Sequence, residues 1–205
     1  MGTDQELLIP VGHDIGVLHS ASGARAQQVR VGLEVAELAD QEFALWLLAH
    51  GVDDQDRPTR KTVVRRAGKL GLPADKTEPV IERFLTDGLL ATVDPEQAEQ
   101  FAKQHQLFPL LYGLGADANQ PWLQTIGLLD QPVLQVSNAV YDVWSWTHLA
   151  PELWTGCHDA AKVAVAAGVT TPQETDPQQV LAGVLGQVHG LLAVRAAYFD
   201  RRRMR

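Results

Sequence analysis

"VAELADQEFALWLLAH", residues 35–50, lies over "VLQVSNAVYDVWSWTH", residues 133–148, at a spacing of 98 positions. In that overlay Leu38 meets Val136, Asp40 meets Asn138, Phe43 meets Tyr141, Trp46 meets Trp144 and His50 meets His148. Each stretch passes from a strand-like run to helical spacing at a short polar residue. Asp40 and Asn138 are the expected N-caps, since their side chains can accept from the unpaired N–H groups of a first turn. Val140, Val143, Trp144 and Thr147 then fall at i, i+3, i+4 and i+7, the stripe a helix buries. The chain therefore reads as two copies of one strand-to-helix unit.

The flanks repeat as well. In the first copy "ELLIPV", "DIGVLHS" and "QVRVGLEVAEL" alternate in part and are broken by Gly12, Gly16 and "ASGARAQ", which predicts two to four strands of a small antiparallel sheet. Glu42 sits in the first turn of helix one, where an acid suits the dipole, and Gly51 closes it. Helix two opens near Thr59, shows Val63, Val64, Ala67 and Leu70 at helical spacing, and stops at Gly71 and Pro73. Helix three takes Asp75 or Thr77 as cap, carries Val80, Ile81, Phe84 and Leu85, ends at Gly88, and leads into a strand from Leu89 to Val93. In the second copy "LFPLLYGLG", "WLQTIGLL" and "PVLQV" supply the strands, and "AAKVAVAAGVT" lies over "VVRRAGKLGLP". "QVLAGVLGQVHGLLAVR" lies over "PVIERFLTDGLLATV", so each copy is expected to end a helix in "GLLA". A period near 100 residues is a domain duplication and far longer than a solenoid repeat. The expected boundaries are residues 1–94, a polar and helical connector at 95–106, and residues 107–205.

Helix, helix, "GL" turn, helix and then "DGLLATV" resembles a winged helix-turn-helix domain, with "FLTDGLL" like the close of its third helix. With strands ahead of the helices, residues 7–94 are more similar to PqqD-like modules, the RiPP recognition elements that capture leader peptides. "VAELADQEFALWLLAHG" looks like the strand and first helix of that group. The resemblance implies an α+β chain of two winged-helix-like units in tandem, each a small antiparallel sheet plus three helices. It implies a non-enzymatic module that binds a peptide or protein, by adding the partner as a strand to a sheet edge and seating side chains beside helix three. Tandem acidic winged-helix pairs also serve as adaptor subunits, as in the ScpB-type condensin partners. The alternative is a DNA-binding transcriptional regulator of the winged helix-turn-helix type.

Composition bears on that choice. The chain has 205 residues, 45% hydrophobic and 20% charged, and a net charge of -8. Acidity of this size disfavours a general polyanion binder. Helix three of the first copy is acidic outside, with Asp75, Glu78, Glu82 and Asp87 against Lys76 and Arg83, which phosphates would repel. That of the second copy offers Gln178, Gln179 and Gln187 without lysine or arginine. No basic return strand follows "LLATVD" to make a wing. Acids in "MGTDQELLIPVGHDIG" and the lack of a long apolar run predict a soluble, cytoplasmic protein with no membrane partner. Twelve arginines against five lysines fit a GC-rich bacterial genome.

Positive charge gathers in helix two and in the terminal "RRRMR", the latter read most simply as a frayed tail. Arg60, Lys61, Arg65, Arg66 and Lys69 are candidate partner contacts, for an acidic protein or peptide before a phosphate backbone. Their spacing is equally that of a solvated helix face. The seven histidines contain no i, i+4 pair of the HExxH kind. His50 and His148 read as helix ends that complement the dipole, while His13 and His19 share strand parity without a third ligand. No metal and no cofactor is expected. The lone Cys157 excludes an internal disulfide, and His158 beside it points about 100° away on a helix, so no nucleophile pair is formed and no enzyme activity is expected. Trp146 and Trp154 are the aromatics that the repeat leaves unexplained. They are candidates for a partner pocket or, preferably, for the interface between the copies.

Overall fold

In the computed structural model, which describes residues 6–19, 21, 23, 25–53, 56–94 and 97–202, the first strand β1 (Leu7–Pro10) leads directly into a meander. Its strands are β2 (His13–His19), β3 (Arg25–Val31) and β4 (Glu34–Leu38), paired antiparallel in that order. Three helices follow, α1 (Asp40–Leu48), α2 (Arg60–Lys69) and α3 (Ala74–Asp87), and β5 (Leu90–Val93) returns antiparallel to β1 with Pro10 opposite Leu90. After α4 (Ala98–Gln104) the order recurs. β6 (His105–Pro109) leads into β7 (Tyr112–Ala116), β8 (Leu123–Leu128) and β9 (Gln131–Ser137). Then come α5 (Asn138–Trp146), a 3-10 turn (Thr147–Leu149), α6 (Leu153–Ala166), the short α7 (Pro172–Thr175) and α8 (Pro177–Ala193). β10 (Ala197–Arg201) returns antiparallel to β6 with Ala197 opposite Pro109. The chain is thus mixed α+β, with small antiparallel sheets, and no described helix is long and apolar enough to cross a membrane.

The likeness of the halves extends to single hydrogen bonds. The Trp46 indole N–H donates to the Leu89 carbonyl at 3.0 Å, and that of Trp144 donates to the Ala196 carbonyl at 2.9 Å. Each carbonyl also accepts from the main chain beyond the first strand of its half, from Val11 at 2.9 Å and from Leu110 at 2.8 Å. Gln27 donates to the Asp40 carboxylate at 3.2 Å, and Gln124 donates to the Asn138 amide oxygen at 2.9 Å. Helix two of each half ends in the left-handed region, at Gly71 (φ 83°) and Gly168 (φ 81°).

Several local expectations are corrected. The N-caps of the first helices are Ala39 and Ser137; Asp40 and Asn138 are already helical and give their oxygens to the meander. Ala39 has no side-chain oxygen to offer, but its own N–H donates to Glu42 at 3.0 Å. Thr59 does cap α2, whereas α3 begins after Pro73, and the Thr77 hydroxyl turns back to the Pro73 carbonyl at 3.0 Å. The "GLLA" equivalence fails. In the first half Gly88 ends the helix at φ 69°, but residues 190–193 lie inside α8, and the left-handed residue there is Arg195 at φ 58°. Leu89 and Ala196 then close back onto Phe84 and Leu191 with the same 2.8 Å bond, so the true counterpart of Gly88 is an arginine. The connector is also less polar than expected: Ala98, Phe101 and Ala102 of α4 are buried, and His105 already belongs to β6. Residues 95 and 96 lie outside the described residues.

One apolar core runs through both halves. Its middle is α8, in which Val180, Val184, Val188 and Leu191 are fully inside along with His189. His189 donates from Nε2 to the Leu8 carbonyl of β1 at 3.2 Å, and Phe101 of α4 meets Phe199 of β10 edge-on at 5.1 Å. Beside them Asp200, 5% exposed, accepts from the Gly32 N–H at 2.6 Å and from Arg30 at 2.9 Å. The Arg201 N–H donates to it as well, at 2.8 Å, and a carboxylate this deep is tolerated because these donors are aimed at it.

Trp46→Phe and Trp144→Phe each remove an indole donor and leave space in the core. Each is expected to destabilise the chain by about 2 kcal/mol in urea unfolding. Trp146→Ala, at a 66% exposed position, is expected to stay within about 0.5 kcal/mol. Equal effects at all three tryptophans would contradict this account.

Candidate partner-binding clefts

β4 is an edge strand: among the described residues it pairs with β3 alone. The hairpin β3–β4 turns through Gly32 (φ 60°) and Leu33, a two-residue loop with glycine in first place, as a type II′ turn requires. Val31 and Glu34, flanking the loop, therefore form a hydrogen-bonded pair, and alternation leaves Arg30 opposite Val35 and Gln28 opposite Glu37 as non-bonded pairs. It follows that the N–H and C=O groups of Val35 and Glu37 point away from β3, toward the free edge. Alongside this edge runs a cleft of about 630 Å³, bounded by Val35 and Ala36 on the strand, Thr86 and Asp87 at the end of α3, and Arg201 of β10. The Arg201 guanidinium donates to the Asp87 carbonyl and faces Glu34 at 3.6 Å.

None of the residues of this cleft was a candidate partner contact in the sequence. Arg201 in particular is not part of a frayed tail, because it is the last rung of the β10–β6 ladder opposite His105. Alternation in "AYFDR", with Ala197 and Phe199 buried, is the signal that identifies it as strand. Arg202 reaches Glu152 at 3.9 Å, and residues 203–205 lie outside the described residues.

The basic residues of α2 do not form one face open to a partner. Arg60 is held between Glu78 and Glu82 of α3, its N–H 2.6 Å from Glu78. Arg66 is held by Asp56 in a two-pronged pair, one arm at 2.8 Å. Lys61, Arg65 and Lys69 are exposed. Arg60 thus bridges α2 to α3 and Arg66 ties α2 to the segment before it, contacts that helical spacing within α2 cannot reveal.

Trp146 and Trp154 also separate. Trp146 does not lie between the halves; it stands exposed on the rim of a second groove of about 630 Å³ between α5 and α6. Trp154 is half-buried against the core and meets the His158 ring edge-on at 4.7 Å. Cys157, next to His158 in sequence, is buried, which pushes its thiol up to about 12. Among the described residues no group of three or more His, Cys, Asp or Glu is arranged to hold a metal. His13 and His19 do not share a face: a bulge between Asp14 and Gly16 puts them opposite Arg30 and Arg25, five residues apart on β3.

His50 does not complement a helix dipole as a cation. It is 5% exposed, donates from Nδ1 to the Trp46 carbonyl at 3.2 Å, and burial lowers it to about 3. His189 is lowered by burial to about 4, and its Nδ1 has no hydrogen-bond partner among the described residues. Both are neutral in the folded chain and titrate near 6.5 when unfolded. Their contribution to stability is therefore complete above pH 6.5 and is lost as pH falls from there toward 4. At pH 5 the expected loss is about 2 kcal/mol per histidine, above the range where carboxylates titrate. The thermal midpoint is expected to drop between pH 7 and pH 5. A flat midpoint across that interval would show that these histidines are not buried neutral.

Comparison with protein-family models, with curated proteins and with solved structures finds no match to this chain.

Proposed function

We propose that this chain is a non-enzymatic peptide-binding module in which an extended segment of a partner adds as a strand along β4. The observation that carries the reading is the pairing of a free strand edge with a cleft. Val35 and Glu37 offer main-chain donors and acceptors, and the space between β4 and the end of α3 can take alternate side chains of the incoming strand. The cleft has charge of both signs at its rim, Arg201 against Glu34 and Asp87, so it suits a polar extended segment with an apolar residue directed at Ala36. The arrangement agrees with what the resemblance of residues 7–94 to PqqD-like RiPP recognition elements implies, with strand and third helix forming the cleft. A tandem winged-helix organisation, with the second unit as a partner for the first, is part of this reading.

Contact with DNA is less well supported. α8, the third helix of the second half, has nine buried residues and cannot enter a groove without opening the core. α3 presents Glu78 and Glu82, and the arginine nearest to them, Arg60, is committed to both.

Selection of random peptides on the immobilised chain tests the proposal, followed by titration of an enriched peptide. Val35→Pro removes an N–H that faces away from β3, so the fold is expected to persist while peptide affinity falls at least about tenfold. Exchange of the Val35 and Glu37 amides is expected to slow on binding. Binding that survives Val35→Pro, or no enrichment together with salt-sensitive binding of duplex DNA, would overturn the reading.

A further inference from the structure

The end of α1 in the first half is covered by another helix, and its counterpart in the second half is open. α8 supplies the cover: a side chain at Gly51 would begin 3.5 Å from the His189 Cβ, and Arg57 donates to the Gly186 carbonyl. Gly51 corresponds to Leu149, 98 positions later. Leu149 is 70% exposed, and the surface around it is the α5–α6 groove, with Trp146 at 66% and Val163 at 65% exposure on its walls. The matching first-half positions carry Leu48 and Arg66, the second locked to Asp56. Apolar groups of this size in one concave patch mark a binding surface.

The charge in the groove says what kind of surface it is. Its charged lining consists of Asp142 and Asp159. Asp159 has Lys162 at 3.5 Å. Asp142 has no hydrogen bond or ion pair among the described residues, and burial, then the nearby Glu174, holds its carboxyl above the usual range. At the equivalent first-half position stands Ala44, so the helix framework does not need a carboxylate there. A half-buried acid left without a cation costs stability until one is supplied.

We infer that the α5–α6 groove binds an amphipathic helix of a partner protein, laying its apolar face on Trp146, Leu149 and Val163 and pairing a lysine or arginine with Asp142. The site is separate from the β4 edge, so the two can be occupied together and the chain can bridge an extended segment and a helix. Helix-in-groove docking needs apolar anchors a turn apart, which Trp146 and Leu149 provide on one wall and Val163 on the other.

The test uses the whole chain and two synthetic helical peptides about four turns long, one of leucine and lysine and one with every lysine replaced by glutamate. Titration at about 150 mM salt is followed by tryptophan fluorescence and calorimetry. The leucine–lysine peptide is expected to bind and the glutamate peptide to fail. Asp142→Asn is expected to weaken binding at least about tenfold without loss of stability, and Val163→Glu and Trp146→Ala to abolish binding with unfolding unchanged. Asp75→Asn, an exposed carboxylate of α3, and Val35→Pro are expected to leave binding intact, which separates this site from the strand edge. Equal binding of both peptides, or undiminished binding by Asp142→Asn and Val163→Glu, overturns the inference, as does the absence of saturable binding.

Discussion

A single kind of contact, an indole N–H set on the carbonyl where the third helix turns into the returning strand, governs the geometry of each half. Leu89 and Ala196 accept both from this indole and from the main chain just past the first strand. First helix, third helix, outgoing strand and returning strand therefore meet at one oxygen. Both its lone pairs are used, and the indole donor is buried, so the first helix cannot slide against the third-helix turn without stranding a polar group away from water. The aromatic neighbours Phe43 and Tyr141 then pack beside the tryptophans, at 5.7 and 5.6 Å between ring centres.

The halves share this joint but differ in what surrounds it. α3 keeps one buried face, with Ile81 and Phe84 inward and its acids outward, and leaves a free strand alongside. α8 is buried on more than one face because it serves two neighbours, its own sheet and the Leu8 backbone of the first half. The second half thus spends its third helix on assembly, and the outward surface it retains is the groove beside α5. The different use of the third helix in the two halves accounts for the different character of the two clefts.

The strands ahead of each first helix and the stop of each second helix were legible because they follow from local chemistry: alternation, 3.6-residue spacing, and glycine at positions 71 and 168; β10 and the short α7 were not. The end of α8 was not. "GLLA" is a persuasive local match, yet a left-handed turn at Arg195 is selected by burial of Leu191 and Leu192, which spacing cannot weigh. The sites were less legible still. Arg60 and Arg66 looked like a surface because their carboxylate partners lie on other segments. Trp146 stood out as unexplained by the repeat and was expected between the copies, but its place on an open groove depends on how α6 crosses α5. The β4 edge has no sequence signature, since an edge is defined by the absence of a neighbour.

Asp200 joins Gly32 and Arg30 across 168 and 170 positions of sequence. During synthesis the β3–β4 hairpin emerges long before the carboxylate that its turn is built to receive. Until then the Gly32 N–H and the Arg30 guanidinium face solvent, and the cleft beside β4 lacks Arg201, the wall that arrives one residue later. The cleft beside β4 is therefore complete only once residue 201 has been added to the chain.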